Sequence, residues 1–293
     1  MHPIKQDKDM FPSASFGVLS ALVGAAAVLS TGSGCNQQKA PVTEAHSQDH
    51  MDSAHGDHSH HAATTNSMLM IATNPSPVTP GVPVSLNMMI HQPNGAMVRK
   101  FELTHEKLVH LIIVSEGLEH FAHVHPEVDK AGNFSTQFTF PFSGKYLLFA
   151  DHKASGEQGA TARGELQVGT GAEEISRLEP SAPGRVSGDG LTADITFGTE
   201  NAGSRKITFE ISDASGKPVT DLEQYLGAMG HLVIISADGS KYVHAHPNEN
   251  SQEKAGHVSF EAHFTSPGTY KGWGQFQRGD EVRTIPFVVE IEK

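Results

Sequence analysis

The chain repeats itself, and the repeat limits the folds open to it. Slid by 121 residues, segment 84–126 aligns with 205–247 without a gap. Identities are spread over the whole length: Ile90/Ile211, Gly95/Gly216, Val98/Val219, Glu102/Glu223, His110/His231, Leu111/Leu232, Ile113/Ile234, Ser115/Ser236, His123/His244, His125/His246 and Pro126/Pro247. An offset of 124 then pairs Phe140 with Phe264, Gly144 with Gly268 and Tyr146 with Tyr270. Such self-similarity predicts two copies of one domain, each of about 100–110 residues.

Each copy reads as strands. Candidates are Met68–Thr73, Val82–Ile90, Leu108–Ser115, Phe134–Phe140, Lys145–Ala150 and Arg163–Val168, then Leu191–Phe197, Lys206–Ser212, His231–Ser236, Val258–Phe264, Tyr270–Gln275 and Thr284–Ile291. Turn clusters such as Gln92-Pro-Asn-Gly95 and Asp213-Ala-Ser-Gly216 divide them. No segment sustains a 3.6-residue apolar period, and the 29 glycines and 16 prolines suit a turn-rich chain. Short strands spaced about 8–12 residues apart predict an all-β chain of two tandem immunoglobulin-like β-sandwich domains. The expected limits are 67–170 and 183–293, with a linker at 171–182.

The start of the chain reads differently. Phe16–Leu29 is an apolar run preceded by Lys5 and Lys8 and followed by Ser33-Gly34-Cys35. About 20 apolar residues span a bilayer, whereas a signal-peptide core needs about 7–15. Small residues before the only cysteine resemble a bacterial lipobox, so residues 1–35 are expected to be a lipoprotein signal peptide with lipid attached at Cys35. A retained membrane anchor is the other reading. With Cys35 lipidated, the exported part has no thiolate, and any metal site must use His, Asp, Glu or Met.

Residues 36–66 are polar, with few large apolar side chains, and are expected to form a disordered linker. They carry His46, His50, His55, His58, His60 and His61 among acidic residues. Such tracts read as metal-binding by composition, or more simply as a spacer. The net charge of −12 argues against nucleic acid as a partner.

The rest of the 19 histidines include a repeated pattern. His110-Leu is followed by Phe121-Ala-His123-Val-His125-Pro126, and His231-Leu by Tyr242-Val-His244-Ala-His246-Pro247, with the His-x-His pair starting 13 residues after the first histidine in both copies. On a strand, positions i and i+2 share a face, so each His-x-His puts two imidazoles on one side. A hairpin can add the first histidine and give three nitrogens, enough for Zn²⁺ or Cu²⁺ with a position left open. Proline after the pair places the site at a sandwich edge or loop mouth. Asp151 and His152 are further candidate ligands in the first copy, where the second has Gln275 and Phe276. Met229 is a candidate thioether ligand in the second. The competing reading makes these histidines structural, packed beside Phe121 and Tyr242 if those rings enter the core. Because only neutral imidazole binds metal, affinity is expected to fall as pH drops through about 6.5.

An exported His-rich start with duplicated sandwich-like domains carrying His110-Leu, His123-x-His125-Pro126 and Gly144-x-Tyr146 resembles periplasmic metal-handling proteins. The nearest are those with YtkA-like domains and, more loosely, the copper-resistance CopC-like sandwiches. The resemblance implies an immunoglobulin-like fold and periplasmic copper carriage. Enzyme signatures are missing. Gly117-x5-His123-x-His125 opens like a cupin motif but lacks its glutamate, and no Ser-His-Asp pattern, phosphate loop or dinucleotide fingerprint occurs. The expected function is a non-enzymatic lipoprotein of the bacterial envelope, periplasm-facing or on the surface and most simply in the outer membrane. It would bind copper or zinc for buffering, resistance or delivery to an envelope transporter or metallochaperone. The alternative is an envelope interaction module with structural histidines.

Overall fold

Alternation builds the first sandwich. In Pro83–His91, Val84, Leu86, Met88 and Ile90 are buried while Asn87 and Met89 face out, the pattern of a strand with one wet face. The computed structural model describes residues 67–172, 175–199, 204–248 and 255–292. Cys35 and the tract holding His46, His50, His55, His58, His60 and His61 lie outside them.

The first domain contains β1 (Met68–Asn74), β2 (Pro83–His91), β3 (Phe101–Glu102), β4 (Val109–Ser115) and β5 (Phe121–Val124). It continues with β6 (Glu127–Val128), β7 (Phe134–Thr139), β8 (Gly144–Ala154) and β9 (Gly159–Val168). Strand order is β5-β4-β8-β9-β1-β2-β7-β6, with β3 also paired to β8. The two layers close over Leu69, Val84, Leu86, Met88, Ile90, Leu111, Ile113, Phe134, Phe140, Tyr146 and Leu148.

The second domain contains β10 (Gly184–Gly188), β11 (Leu191–Phe197), β12 (Ser204–Asp213) and β13 (His231–Ser236). Its remaining strands are β14 (Tyr242–Pro247), β15 (His257–His263), β16 (Gly268–Arg278) and β17 (Glu281–Ile291), in the order β10-β11-β12-β15-β14-β13-β16-β17. Its core holds Ile195, Ile207, Phe209, Ile234, Phe260, Tyr270, Phe276 and Phe287. The chain is thus all-β, with two tandem immunoglobulin-like sandwiches. All twelve expected strands form. The strands expected for the His-x-His pairs form as β5 and β14, while β3, β6 and β10 were not expected, because their segments are too short to show an apolar alternation.

Several repeated residues turn out to be structural. Tyr146 Oη donates to the Phe142 carbonyl (3.2 Å), and Tyr270 Oη to the Ser266 carbonyl (2.9 Å). This is the tyrosine corner of immunoglobulin-like domains. Glu102 and Glu223 do matching work at the tip of each long hairpin. Glu102 Oε1 accepts from Gly156 N (2.7 Å), and Glu223 Oε2 from Asp280 N (3.2 Å).

Every residue of β4 is buried, so both of its faces are covered. Val109, Leu111 and Ile113 enter the first core. Ile112 and Val114, with Leu118, Leu147 and Phe149, instead meet Val233, Ile235 and Trp273 of the second domain. The contacts across this seam are reciprocal under the repeat. Phe121 stacks on Trp273 at 4.6 Å and 13°, while their counterparts Tyr242 and Phe149 lie 5.7 Å apart. Positions that are copies of each other also meet. His110 and His231 rings stack at 5.6 Å, and a β-carbon at Gly227 would lie 3.6 Å from Oε1 of Glu106, its counterpart. The halves are therefore related by an approximate two-fold axis, as in an isologous dimer.

Trp273 is the chain's only tryptophan and is 3% exposed. Trp273→Ala should cost about 3–5 kcal/mol of stability. Calorimetry should then resolve two unfolding transitions where the parent shows one. A variant that still unfolds at the parent temperature would show that the seam does not hold the halves together.

Candidate metal centre at the seam

The outward side of β4, β5 and β8 carries the histidines as well as the seam. His110 precedes Ile112 and Val114 on that face, and His123 follows Phe121 on it. Leu111 pairs with Val124 and Ile112 with His123, so the hairpin brings His123 and His125 alongside His110. Nitrogens of His110, His123 and His125 all lie within 4.8 Å of one another. The aromatics Phe121 and Tyr242 do share the face of the His-x-His pairs, but that face looks into the seam and not into a sandwich core.

Hydrogen bonds orient two of the imidazoles. A carbonyl oxygen can only accept, so His110 Nε2 donates to Thr104 O at 2.8 Å. By the same rule His123 Nδ1 donates to Gln275 Oε1 at 2.7 Å. A neutral imidazole has one N–H. The remaining nitrogens, His110 Nδ1 and His123 Nε2, face each other at 3.0 Å. A shared proton or a metal ion can bridge them. A proton is opposed by the surroundings: burial first, then the neighbouring His110, push His123 down to about 3. Burial, His110 and Lys107 push His125 down to about 4. Its Nε2 is buried without a hydrogen-bond partner. Two nitrogens on one tetrahedral zinc or copper ion would be about 3.3 Å apart, given bonds of about 2.0–2.1 Å. His125 also lines an open polar depression with Ser85, Asn87, Glu127 and Gln137.

The second domain contributes to this cluster. The His231 ring lies 5.6 Å from that of His110 and 5.8 Å from that of His123. His105 approaches His231 at 4.9 Å, carried there by a turn in which His105 and Glu106 have positive φ. Tyr225 occupies the matching turn and sits 5.7 Å from His231. His231 therefore belongs beside the triad of the first domain. His244 and His246 lie on β14, His244 opposite Val233 and His246 opposite Glu261, and their side chains lie outside the described atoms.

The other candidates separate by face. Asp151 pairs with His110 across β4 and β8 and is buried on the same side, next to the three convergent nitrogens but not among them. His152 comes one residue later and so turns the other way. Its Nδ1 donates to Ala150 O at 3.0 Å and its ring meets Phe101, which packs on the first core. Met229 packs against the core of the second sandwich, as a thioether usually does. Gln275 was not singled out in the sequence as a functional residue. Its signal was its place in the repeat, where it stands for Asp151.

A sequence profile for a domain of unknown function, DUF8832, matches residues 63–170 and again 185–293, and the chain belongs to this family. No curated protein matches the sequence. Among solved structures, the chain is similar to FdeC, a conserved Escherichia coli adhesin, with 15% identity and a TM-score of 0.25, over 79% of this chain and 65% of that one. The titin A168–A169 pair aligns at 9% identity and TM-score 0.19, over 74% and 93%. A carbohydrate-binding module of the β-sandwich superfamily aligns at 9% and 0.22, over 78% and 100%. Likeness at these scores carries nothing about the site.

The lowered histidines link folding to pH. In the unfolded chain an imidazole takes a proton near 6.5, whereas folded His123 and His125 do so only near 3 and 4. Between these limits the unfolded state binds more protons. Stability is therefore complete above about 6.5 and is lost as pH falls, by up to about 1.4 kcal/mol per pH unit per group. Urea midpoints of the metal-free protein should fall from pH 7 to pH 5, and His123→Gln should flatten that slope. A midpoint that stays constant over this range would contradict the assignment.

Proposed function

We propose that this protein is an exported lipoprotein that binds copper or zinc between its two sandwiches. It would buffer the ion or pass it to an envelope transporter or metallochaperone. His110, His123 and His125 are the ligands, with His231 and Asp151 beside them. Thr104 O and Gln275 Oε1 fix the tautomers from the second sphere, as carbonyl partners of metal-bound histidines commonly do. The observation that carries the reading is the convergence of nitrogens of His110, His123 and His125 within 4.8 Å of one another, in a site where burial opposes a proton.

The chemistry proposed is binding and release, without catalysis. Three neutral nitrogens leave a coordination position open to a ligand from a partner, which is what transfer needs. The lipobox-like Ser33-Gly34-Cys35 supports an envelope location, and the histidines of 46–61 supply weak donors ahead of the domain. Since His123 and His125 stay neutral well below 6.5, the expected loss of metal on acidification shifts to lower pH than for free imidazole.

The test uses Trp273, whose ring stacks on Phe121, two residues from His123. Cu²⁺ should quench its fluorescence with saturation at one equivalent per seam site, and Zn²⁺ should compete. His123→Ala with His125→Ala should weaken binding at least about 100-fold, and Gln275→Leu about 10–100-fold. Affinity left unchanged by the double substitution would sink the seam site and favour the interaction-module reading.

A further inference from the structure

The outer face of the first sandwich concentrates thioethers. Met68 and Met70 lie on β1, Met89 on β2 and Met97 just after the β2 hairpin turn, so four of the chain's nine methionines fall here. Met70 pairs with Met89 and Met68 with His91 across β1 and β2. Met97 pairs with His91 on the other side. The bonds Gln92 N→Ala96 O (2.8 Å) and Val98 N→Ile90 O (2.9 Å) flank that last pair, which makes it the non-hydrogen-bonded kind, where side chains are closest. His91 thus has a methionine on each flank, and the Met70–Met89 pair is one strand step away.

All five side chains point away from the core, since their neighbours Leu69, Met88, Ile90 and Val98 are the buried ones. Met68 is 60% exposed, Met70 47% and Met89 36%. A solvent-facing strand surface is ordinarily polar, and the only other methionines among the described residues, Met88 and Met229, are core or core-packed. The nearby cation on β9, Arg163, is paired with Glu165 at 2.8 Å, so little positive charge opposes a bound cation.

We infer that this face is a second metal site, selective for a soft monovalent ion, Cu(I) or its analogue Ag(I), held by thioethers of Met68, Met70, Met89 and Met97 with His91. Directly paired residues have β-carbons about 4.5–5.5 Å apart, and a strand advances about 6.6–6.8 Å per two residues. Unbranched methionine side chains, with three rotatable bonds each, span such gaps to a shared ion. Thioether donors prefer Cu(I), whereas the imidazoles at the seam suit Cu(II) or Zn(II). The site is independent of the seam reading, because it shares no residue with it.

The full chain labelled at its methionine methyl groups would be titrated with Ag⁺ and followed by NMR. The methyl signals of Met68, Met70, Met89 and Met97 should move together, while buried Met88 and core-packed Met229 serve as internal controls. Met70→Leu with Met89→Leu, both at exposed positions, should weaken Ag⁺ binding read at the remaining Met68 and Met97 signals at least tenfold and leave Cu²⁺ quenching of Trp273 unchanged. His123→Ala with His125→Ala should do the reverse. The proposal is overturned if the four signals stay fixed on addition of Ag⁺, or if the Met68 and Met97 signals move equally at the same Ag⁺ concentration in the Met70→Leu, Met89→Leu protein.

Discussion

Burial of β4 and β8 on both faces is the constraint from which the rest follows. Each sandwich is closed over its own core, yet Ile112, Val114, Leu147 and Phe149 on one side, and Val233, Ile235 and Trp273 on the other, need a second apolar surface. Each half supplies it for the other. Because the histidines share those strand faces, hiding the apolar residues also hides the imidazoles. Desolvation then keeps His123 and His125 neutral. Packing and site chemistry therefore have one cause, and the reactive geometry depends on the halves staying together.

The fold was legible because its signals are local. Alternation in Val84–Ile90, the turn residues and the 121-residue repeat needed no knowledge of the partner strand. Strands too short to alternate were missed: β3 and β6 are only two residues long, and β10 five. The triad His110, His123 and His125 was also within reach, since strand parity and one hairpin are enough to place it.

The seam was not legible. The continuous apolar runs Leu111–Val114 and Leu232–Ile235 announced burial on both faces, but no periodicity says what covers the second face. For that reason His231 was assigned to its own domain, when it lies against His110. The role of Gln275 escaped for the same reason. His152 and Asp151 are neighbours in sequence, and strand parity alone sends one into the core and the other toward the cluster.

The approximate two-fold relation between the halves has a consequence for how such a site can be furnished. In a dimer of identical chains, any residue near the axis is installed twice, and an acid placed for one half intrudes on the other. Tandem fusion removes that obligation. The position that is Asp151 in one half is Gln275 in the other, and only Gln275 offers a neutral acceptor to His123. His105 answers to Leu226, which is buried. Joined halves can keep the symmetric scaffold and specialise its centre.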